Sequence, residues 1–220
     1  MEDNLNEAVY VEFIGLPGCG KSTVSHLVAE MLREKGYLVI EPSYEMDHCL
    51  SPVCRKMKKC LNVVCFFCGH SVEFFRVRRM ISENAGKGYL RHMANIISKL
   101  KLYLDNKKAI FIWDEGILQS VVSLSMNEID VLKIAKELLG EKKLISVYIE
   151  TDIITALKRM AERETNDSRV EKENDISKKY AMMLAYKKNM ESFITDIKIE
   201  SRKAEDDAKK IVDFVMDEVF

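Results

Sequence analysis

The sequence is poor in residues that interrupt a chain. Its 220 residues include three prolines and nine glycines, and no repeat or low-complexity linker divides them. No apolar run approaches the roughly 18 residues of a membrane-spanning helix, and the acidic first four residues include no apolar signal region. The net charge of −1 gives no global basic field for nucleic acid or an anionic membrane. We therefore expect one cytoplasmic domain over 1–220, with no nucleic-acid or membrane partner.

The strongest pattern present is the segment 15–22, GLPGCGKS, which matches the Walker A or P-loop form G-x-x-x-x-G-K-[ST] without a mismatch. An apolar, β-rich run at 9–14 precedes it, and apolar residues recur at helical spacing from Val24 to Leu32. In this context the glycines let successive backbone N–H groups surround a phosphate at the positive end of the new helix. The segment therefore predicts binding of a nucleoside triphosphate, which we take to be ATP, together with Mg²⁺.

Side chains around this segment have predicted roles. Lys21 is expected to reach the β- and γ-phosphates, and Ser22 to offer its hydroxyl to Mg²⁺. Asp114 and Glu115 directly follow an apolar strand at 109–113, where a carboxylate can hold the magnesium shell. We assign this role to Asp114, whereas Glu115 could accept a proton from an attacking hydroxyl or water, or merely cap the next helix.

Arginines form a second group of candidates, in a lid segment that we place at 152–175. Arg159 and Arg163 lie four apart on one predicted helix face, and Arg169 follows a polar hinge at 165–168. Guanidinium groups on such a lid can close on the triphosphate and offset charge in the transition state; the alternative is a solvated face paired with glutamates. Besides Lys21 and Ser22, the residues predicted to bind ATP are Gly15, Pro17, Gly18, Cys19, Gly20, Thr23, Arg159, Arg163 and Arg169.

The acceptor is expected to bind in a helical region at 44–106. Glu41 ends the predicted second strand, 37–40, where a carboxylate can accept the proton of an attacking hydroxyl, unless it is only a solvated strand end. Arg76 and Arg79 share a helical face and could bind a substrate phosphate bidentately; alternatively, they flank an amphipathic helix whose aromatic residues are buried.

Five of the six cysteines fall between Cys49 and Cys68. Cys65 and Cys68 have the C-x-x-C spacing of a zinc half-site or a redox pair, but Cys49, Cys54 and Cys60 do not supply a second half with that spacing. We interpret the segment as helical with reduced, buried thiols, and zinc or a disulfide stays the alternative.

The predicted elements alternate between strands and helices. Such an order implies a parallel sheet with right-handed crossovers, and nucleotide and substrate should meet at the carboxyl ends of its strands. The prediction is thus an α/β P-loop NTPase fold with a five-stranded sheet, flanking helices and a helical lid. Strands are predicted near 9–14, 37–40, 109–113, 144–149 and 195–200. Residues 44–84 are predicted to be mostly helical and irregular, and the other helices are predicted near 21–34, 90–105, 117–126, 131–139, 152–164, 175–193 and 208–219.

The combination resembles the P-loop nucleoside and nucleoside-monophosphate kinases, thymidylate kinases in particular. The matching pieces are 13–23, the Glu-Pro pair at 41–42, Asp114, the three arginines of the lid segment and the strand near 197–200 before a long helix. The resemblance implies transfer of the ATP γ-phosphoryl group to a nucleoside, a nucleoside monophosphate or a similar small acceptor. It also implies that Glu41 is the base, as in deoxynucleoside kinases. The Asp-Glu-Gly at 114–116 departs from the Asp-Arg and Glu-Arg pairs of these kinases.

Two further readings stay open. A small ATPase or nucleotide-dependent switch would use the same strand followed by Asp-Glu, with Glu115 polarising water. A binding module without turnover is the third, although Lys21, Ser22 and Asp114 argue against it. The expected partner is a small-molecule phosphoryl acceptor, and assembly into a homodimer is an open alternative.

Overall fold

A computed structural model of the chain shows one five-stranded sheet in the order β2-β3-β1-β4-β5. All adjacent strands are parallel, so the five carboxyl ends lie at one edge of the sheet. The strands are β1 Val9–Gly15, β2 Val39–Ile40, β3 Ile110–Trp113, β4 Lys143–Glu150 and β5 Ile197–Glu200. The structure describes residues 5, 7–49, 51–84, 89–103, 108–122, 143–162, 170, 173–191, 195–200 and 203–219.

Helices connect and flank these strands. In the described part of the chain they are α1 Lys21–Glu34, α2 Pro42–Cys49, α3 Pro52–Gly69, α4 Ser71–Asn84, α5 Tyr89–Tyr103, α6 Ile117–Val122, α7 Ile153–Ala161, α8 Ile176–Glu191 and α9 Ala204–Val219. The predicted α/β fold class with a five-stranded parallel sheet is confirmed. The predicted helix near 131–139 and the hinge at 165–168 lie outside the described residues.

The centre of the sheet explains why the candidate site lies where it does. All seven residues of β1 are buried, because β3 and β4 pair with it on its two sides. A strand in this position needs an almost continuous apolar sequence, and VYVEFIG has one except for Glu12. The register places Gly15, the last residue of β1, opposite Ile149 of β4. The loop that follows β1 therefore emerges at the middle of the carboxyl edge.

The region between β2 and β3 is more regular than the sequence predicts. Three helices, α2, α3 and α4, occupy the stretch that reads as mostly helical and irregular. The Ser51 hydroxyl accepts a hydrogen bond from the Cys54 N–H at the start of α3, and a proline stands in the first turn. Ser-Pro is a helix start signal, and Ser51 and Pro52 mark the start of α3 after the end of α2.

The cysteine prediction is half confirmed. The segment is helical, but Cys54, Cys60, Cys65 and Cys68 are free thiols on the exposed side of α3 rather than buried ones. The reason is that α3 packs on α5 through the opposite side, which contains the buried Phe66. Whether these thiols bind a metal stays untested.

The described helices also bear on the predicted absence of a membrane span. None of them alone is long and apolar enough to cross a membrane. Residues 53–69 and 71–79 meet that criterion of length and composition only as a pair, and the pair is bent by 116°.

Candidate nucleotide site

The loop between β1 and α1 is shaped by two glycines with left-handed backbones. Gly18 and Gly20 have φ angles of +82° and +101°, which L side chains rarely adopt. A Cβ on Gly18 would collide with the backbone carbonyl of Ala156, because the loop runs directly against α7. Gly20 is the N-cap of α1, and because it has no side chain it cannot accept a capping hydrogen bond from the first turn of the helix. The N–H groups of the first helical turn are thus available to an anion.

Lys21 folds back over this loop. Its Nζ donates hydrogen bonds to the carbonyl oxygens of Gly15 and Leu16, both at 3.0 Å, and the side chain is buried. A buried ammonium group is costly unless it is hydrogen-bonded, and the loop carbonyls satisfy it here. The cation is therefore held in the cradle where phosphate oxygens are expected.

A second pair of polar groups lies where α1 meets the end of β3. The Ser22 hydroxyl donates a hydrogen bond of 2.7 Å to Oδ2 of Asp114. The other carboxylate oxygen, Oδ1, is buried and accepts no hydrogen bond from any described residue. A hydroxyl and a carboxylate are hard oxygen ligands of the kind that Mg²⁺ prefers. The residues present therefore fit a magnesium ion beside the phosphate loop, and its binding there stays a prediction.

Arg159 lies over the same loop from α7. Its Nη1 donates a hydrogen bond of 3.1 Å to the carbonyl of Cys19, and the side chain is half-buried. The structure thus brings Arg159 to the loop across 140 residues of sequence. The other two arginines of the predicted lid segment, Arg163 and Arg169, lie outside the described residues.

Glu41 is positioned differently from the other candidates. Its buried carboxylate pairs with the Arg33 guanidinium at 2.7 Å and with Nδ1 of His26 at 3.0 Å, both on α1. The His26 ring in turn stacks on Tyr44, with centroids 4.2 Å apart. None of these described contacts of Glu41 involves the phosphate loop or Asp114. Its role as the base therefore stays a prediction.

The remaining candidates are on the surface. Glu115 is exposed directly after Asp114, and Thr23 is exposed in the first turn of α1. Arg76 and Arg79 are exposed on α4, and of the apolar residues beside them Val77 is buried, Phe74 is half-buried and Phe75 is exposed. Binding of a substrate phosphate by the two arginines stays a prediction.

Sequence reasoning missed Glu12, a residue of β1 that holds the turn after β3 and the start of α6 in place. Its buried carboxylate accepts hydrogen bonds from the N–H groups of Ile117 and Leu118, at 3.0 and 2.8 Å, and from the hydroxyl of Tyr103. Burial raises the pKa of Glu12 above its usual 4.5, and these hydrogen bonds oppose that shift. Gly116 must be a glycine here, because a Cβ would collide with the Glu12 side chain. The signal was a single charge within an apolar strand.

Two further polar residues connect Glu12 to the loop. Gln119 of α6 is buried, and its Oε1 accepts a hydrogen bond of 3.0 Å from the Gly15 N–H. Lys99 of α5 donates hydrogen bonds to the Gly116 carbonyl, at 3.1 Å, and to the Ser120 hydroxyl, at 2.7 Å. Burial lowers the pKa of Lys99, and the nearby carboxylates, Glu115 first, oppose this. The turn after Asp114 is thus held from β1, α5 and α6 together.

Comparisons with known proteins agree with this architecture. No protein-family model matches the sequence, and no curated protein matches it. Among solved structures, the YorR protein from Bacillus subtilis in complex with phosphorylated GDP is 16% identical, with a TM-score of 0.54 over 96% of this chain and 97% of that one. A shikimate kinase from Bacteroides thetaiotaomicron is 10% identical, with a TM-score of 0.53 over 94% of this chain and 98% of that one. At such identities the likeness concerns the fold.

The fold class is therefore α/β, with a five-stranded parallel sheet flanked by helices, and a shikimate kinase is among its structural neighbours. These neighbours do not single out thymidylate kinases.

Proposed function

We propose that the chain is an ATP- and Mg²⁺-dependent phosphotransferase that moves the γ-phosphoryl group to a small acceptor, a nucleoside or nucleoside monophosphate in the first place. The single observation that supports this most is the hydrogen bond between Ser22 and one oxygen of Asp114, whose other oxygen is buried and accepts no hydrogen bond within the described part of the chain. Asp114 and Ser22 would hold Mg²⁺, with Asp114 binding it directly or through water. The metal, when bound, neutralises charge on the transferring phosphates.

The chain's own residues supply position and charge. The N–H groups of the loop and of the first turn of α1 bind the phosphates, and Lys21 exchanges loop carbonyls for phosphate oxygens. Arg159, which already contacts the Cys19 carbonyl, offsets negative charge that develops on the transferring group. Catalysis of this kind is positioning plus electrostatic stabilisation, with little covalent work by the protein.

Two carboxylates compete for the role of base. Glu41 is buried directly after β2, at the carboxyl edge of the sheet, and its carboxylate contacts Arg33 and His26. Glu115 is exposed and adjacent to Asp114, a position from which it can orient water. That exposure is the observation that favours the second candidate function, hydrolysis of ATP. We retain Glu41 as the base for transfer.

An acceptor screen tests the proposal. The protein is incubated with Mg²⁺ and γ-labelled ATP, alone and with separate pools of nucleosides, nucleoside monophosphates and other small alcohols. Label on an acceptor supports phosphotransfer. Free phosphate alone, at a rate that no acceptor changes, overturns transfer in favour of hydrolysis, and an absence of turnover overturns both. Asp114→Asn should lose turnover, whereas Asp213→Asn, an exposed aspartate of α9, is the matched control.

Substitution of the two carboxylates then identifies the base. Glu41→Gln should lose transfer and retain ATP affinity, whereas Glu115→Gln should retain both. Arg33→Gln removes the ion pair of Glu41 but keeps its carboxylate, so it separates a structural loss from loss of the base. An active Glu41→Gln enzyme together with an inactive Glu115→Gln enzyme would assign the role to Glu115.

A further inference from the structure

One side of α3 exposes a continuous row of large apolar side chains. Val53, Met57, Leu61, Val64 and Phe67 follow one another at spacings of three and four residues, which places them on one side of the helix. Phe75 of α4 lies beside Phe67, with ring centroids 6.0 Å apart, and Val72 is one turn before Phe75 on α4. All seven are between 43% and 72% exposed. We call these seven residues the α3 face. The exposed thiols of Cys54, Cys60, Cys65 and Cys68 lie on the same side of α3.

The rotation of α3 is fixed by polar contacts on its opposite side. Asn62 is buried and donates a hydrogen bond of 3.0 Å to the Ser98 hydroxyl of α5, and Lys59 donates one of 3.1 Å to the side-chain oxygen of Asn95. Rotating the α3 face inward would break both bonds and bury apolar groups against polar ones. The apolar row therefore belongs to the outside of this protomer.

The extent of the α3 face fits an interface between two proteins. A buried aromatic side chain covers about 150–250 Å² and an aliphatic one less, so seven residues that are about three-fifths exposed offer roughly 600 Å². Two such patches together give about 1,200 Å², the lower end of the range of about 1,200–2,000 Å² that specific, stable interfaces bury. The patch is large enough for a stable dimer.

The charges of α3 favour one arrangement of that dimer. Its basic residues all lie in the first half; Lys59 is on the inner side, whereas Lys56 and Lys58 are exposed, and 60–69 contains no charged residue. In an antiparallel pair about a two-fold axis, Lys56 and Lys58 of one helix lie beside the uncharged half and the negative dipole end of the other. A parallel pair would bring the lysines together.

We propose that the α3 face is covered by a second copy of this chain, with the two α3 helices antiparallel across a two-fold axis. The same combination of apolar and basic residues also occurs in helices that lie on anionic membranes. Such helices gain from Lys and Arg along their whole polar border, whereas the last ten residues of α3 have none. The charge pattern therefore favours a second copy. This inference does not depend on the proposed function.

The mass of the protein in solution tests the interface. By sedimentation or light scattering over about a hundredfold range of concentration, the wild-type chain should have twice the mass of one protomer. Leu61→Glu should give the mass of one protomer, with the melting temperature of wild-type protein diluted until it is monomeric, because Leu61 is exposed before assembly. Ile176→Glu, at an equally exposed position of α8, should stay dimeric. A monomeric wild type, or a dimeric Leu61→Glu, would overturn the proposal.

Cross-linking tests the antiparallel arrangement. Serine replaces the cysteines at 49, 60 and 65, so that Cys54 and Cys68 remain on α3 and the buried Cys19 is kept. Cys54 and Cys68 are 14 residues apart, about 21 Å along the helix, so a short bis-maleimide cannot join them within one chain. It should link Cys54 of one copy to Cys68 of the other, and variants with one of the two should not cross-link.

Two outcomes would contradict the arrangement or the occupant. Links between two copies of Cys54 would show a parallel pair. Co-sedimentation of a monomeric wild type with phosphatidylserine vesicles, lost in Leu61→Glu and kept in Ile176→Glu, would show that a membrane surface covers the α3 face instead.

Discussion

The edge of the sheet around the phosphate loop and the outer side of α3 are opposite exceptions to the usual distribution of side chains, which buries apolar groups and exposes polar ones. At the sheet edge, Glu12, Lys21 and Gln119 are polar groups taken out of water. On α3, Leu61 and Phe67 are apolar groups left in water. Either placement costs free energy unless something compensates it, and the two regions differ in what does so.

At the sheet edge most of the compensation is internal. Glu12 accepts hydrogen bonds from three donors, and Lys21 donates to two carbonyl oxygens and to the Cys19 sulfur. An exception among the described residues is one oxygen of Asp114, where a metal fits. On α3 the row of exposed side chains has no such compensation within the described residues. A substitution should therefore change stability or turnover in the first region and only assembly in the second. The predictions below test that contrast, beginning with the largest effect.

Replacement of Lys21 should have the largest effect on activity. Lys21→Ala removes the cation from the phosphate cradle, and we expect turnover of ATP to fall by about a thousandfold or more, the scale for loss of one preorganised charge stabiliser. The measurement is initial rate at saturating Mg²⁺, with a melting curve to show that the fold is retained. Lys35→Ala, an exposed lysine just after α1, should leave the rate unchanged. Loss of less than about tenfold in Lys21→Ala would contradict the assigned role.

Replacement of Glu12 should have the largest effect on stability. Glu12→Ala leaves two buried N–H groups and the Tyr103 hydroxyl without their acceptor, and each unsatisfied group costs about 1–3 kcal/mol, less the relief from not burying a carboxylate. We expect a net loss of about 2–4 kcal/mol in the free energy of unfolding, measured with urea.

The matched controls for this experiment come from both regions. Glu34→Ala, an exposed glutamate of α1, should change the free energy of unfolding by less than about 0.5 kcal/mol. Leu61→Ser on the α3 face should change the stability of the protomer as little, when the protein is dilute enough to be monomeric. If Leu61→Ser cost as much as Glu12→Ala, the contrast between the regions would fail.

The sequence predicts the phosphate loop and α1 well because their signals are local. The glycines of 15–20, Lys21 and the apolar repeat to Leu32 act within a few turns, and α1 ends at Glu34 as predicted. The position of Asp114 at the end of β3 can be predicted because a charged residue directly follows a short apolar run. Roles that depend on distant contacts are not: Glu12 meets α6 across 105 and 106 residues, and the partners of Glu41 depend on how α1 packs beside β2.

The sequence does not show which side of α3 faces outward. The spacing from Val53 to Phe67 is that of a buried helical stripe, and nothing local says that this stripe faces outward. The side of α3 that faces inward is fixed by the hydrogen bond between Asn62 and Ser98, which are 36 residues apart. A helix with apolar residues on most of its circumference has two candidate inner faces, and only the tertiary contact chooses between them.

The smallest expected effect is a dependence of the free energy of unfolding on pH. It shows whether the hydrogen bonds to the buried Glu12 carboxylate offset the cost of burying its charge. Burial raises the pKa of Glu12 above 4.5, so just above pH 4.5 the folded chain holds a proton that the unfolded chain has released. This contribution to stability is complete below pH 4.5 and is lost as pH rises through the folded-state pKa. Its slope cannot exceed about 1.4 kcal/mol per pH unit for one proton.

Urea unfolding at a series of pH values, for wild type and for Glu12→Gln, isolates this term, because glutamine does not titrate. The difference between the two free energies of unfolding should shift against the wild type as pH rises through that interval. Burial raises the pKa of Tyr103 well above 10.0, so its hydroxyl does not titrate in this interval. Burial lowers the pKa of Lys99 from 10.5, and the nearby carboxylates oppose that shift. Glu34→Gln should keep the wild-type dependence. Parallel curves for wild type and Glu12→Gln would mean that the hydrogen bonds from α6 and Tyr103 offset the cost of burying the charge.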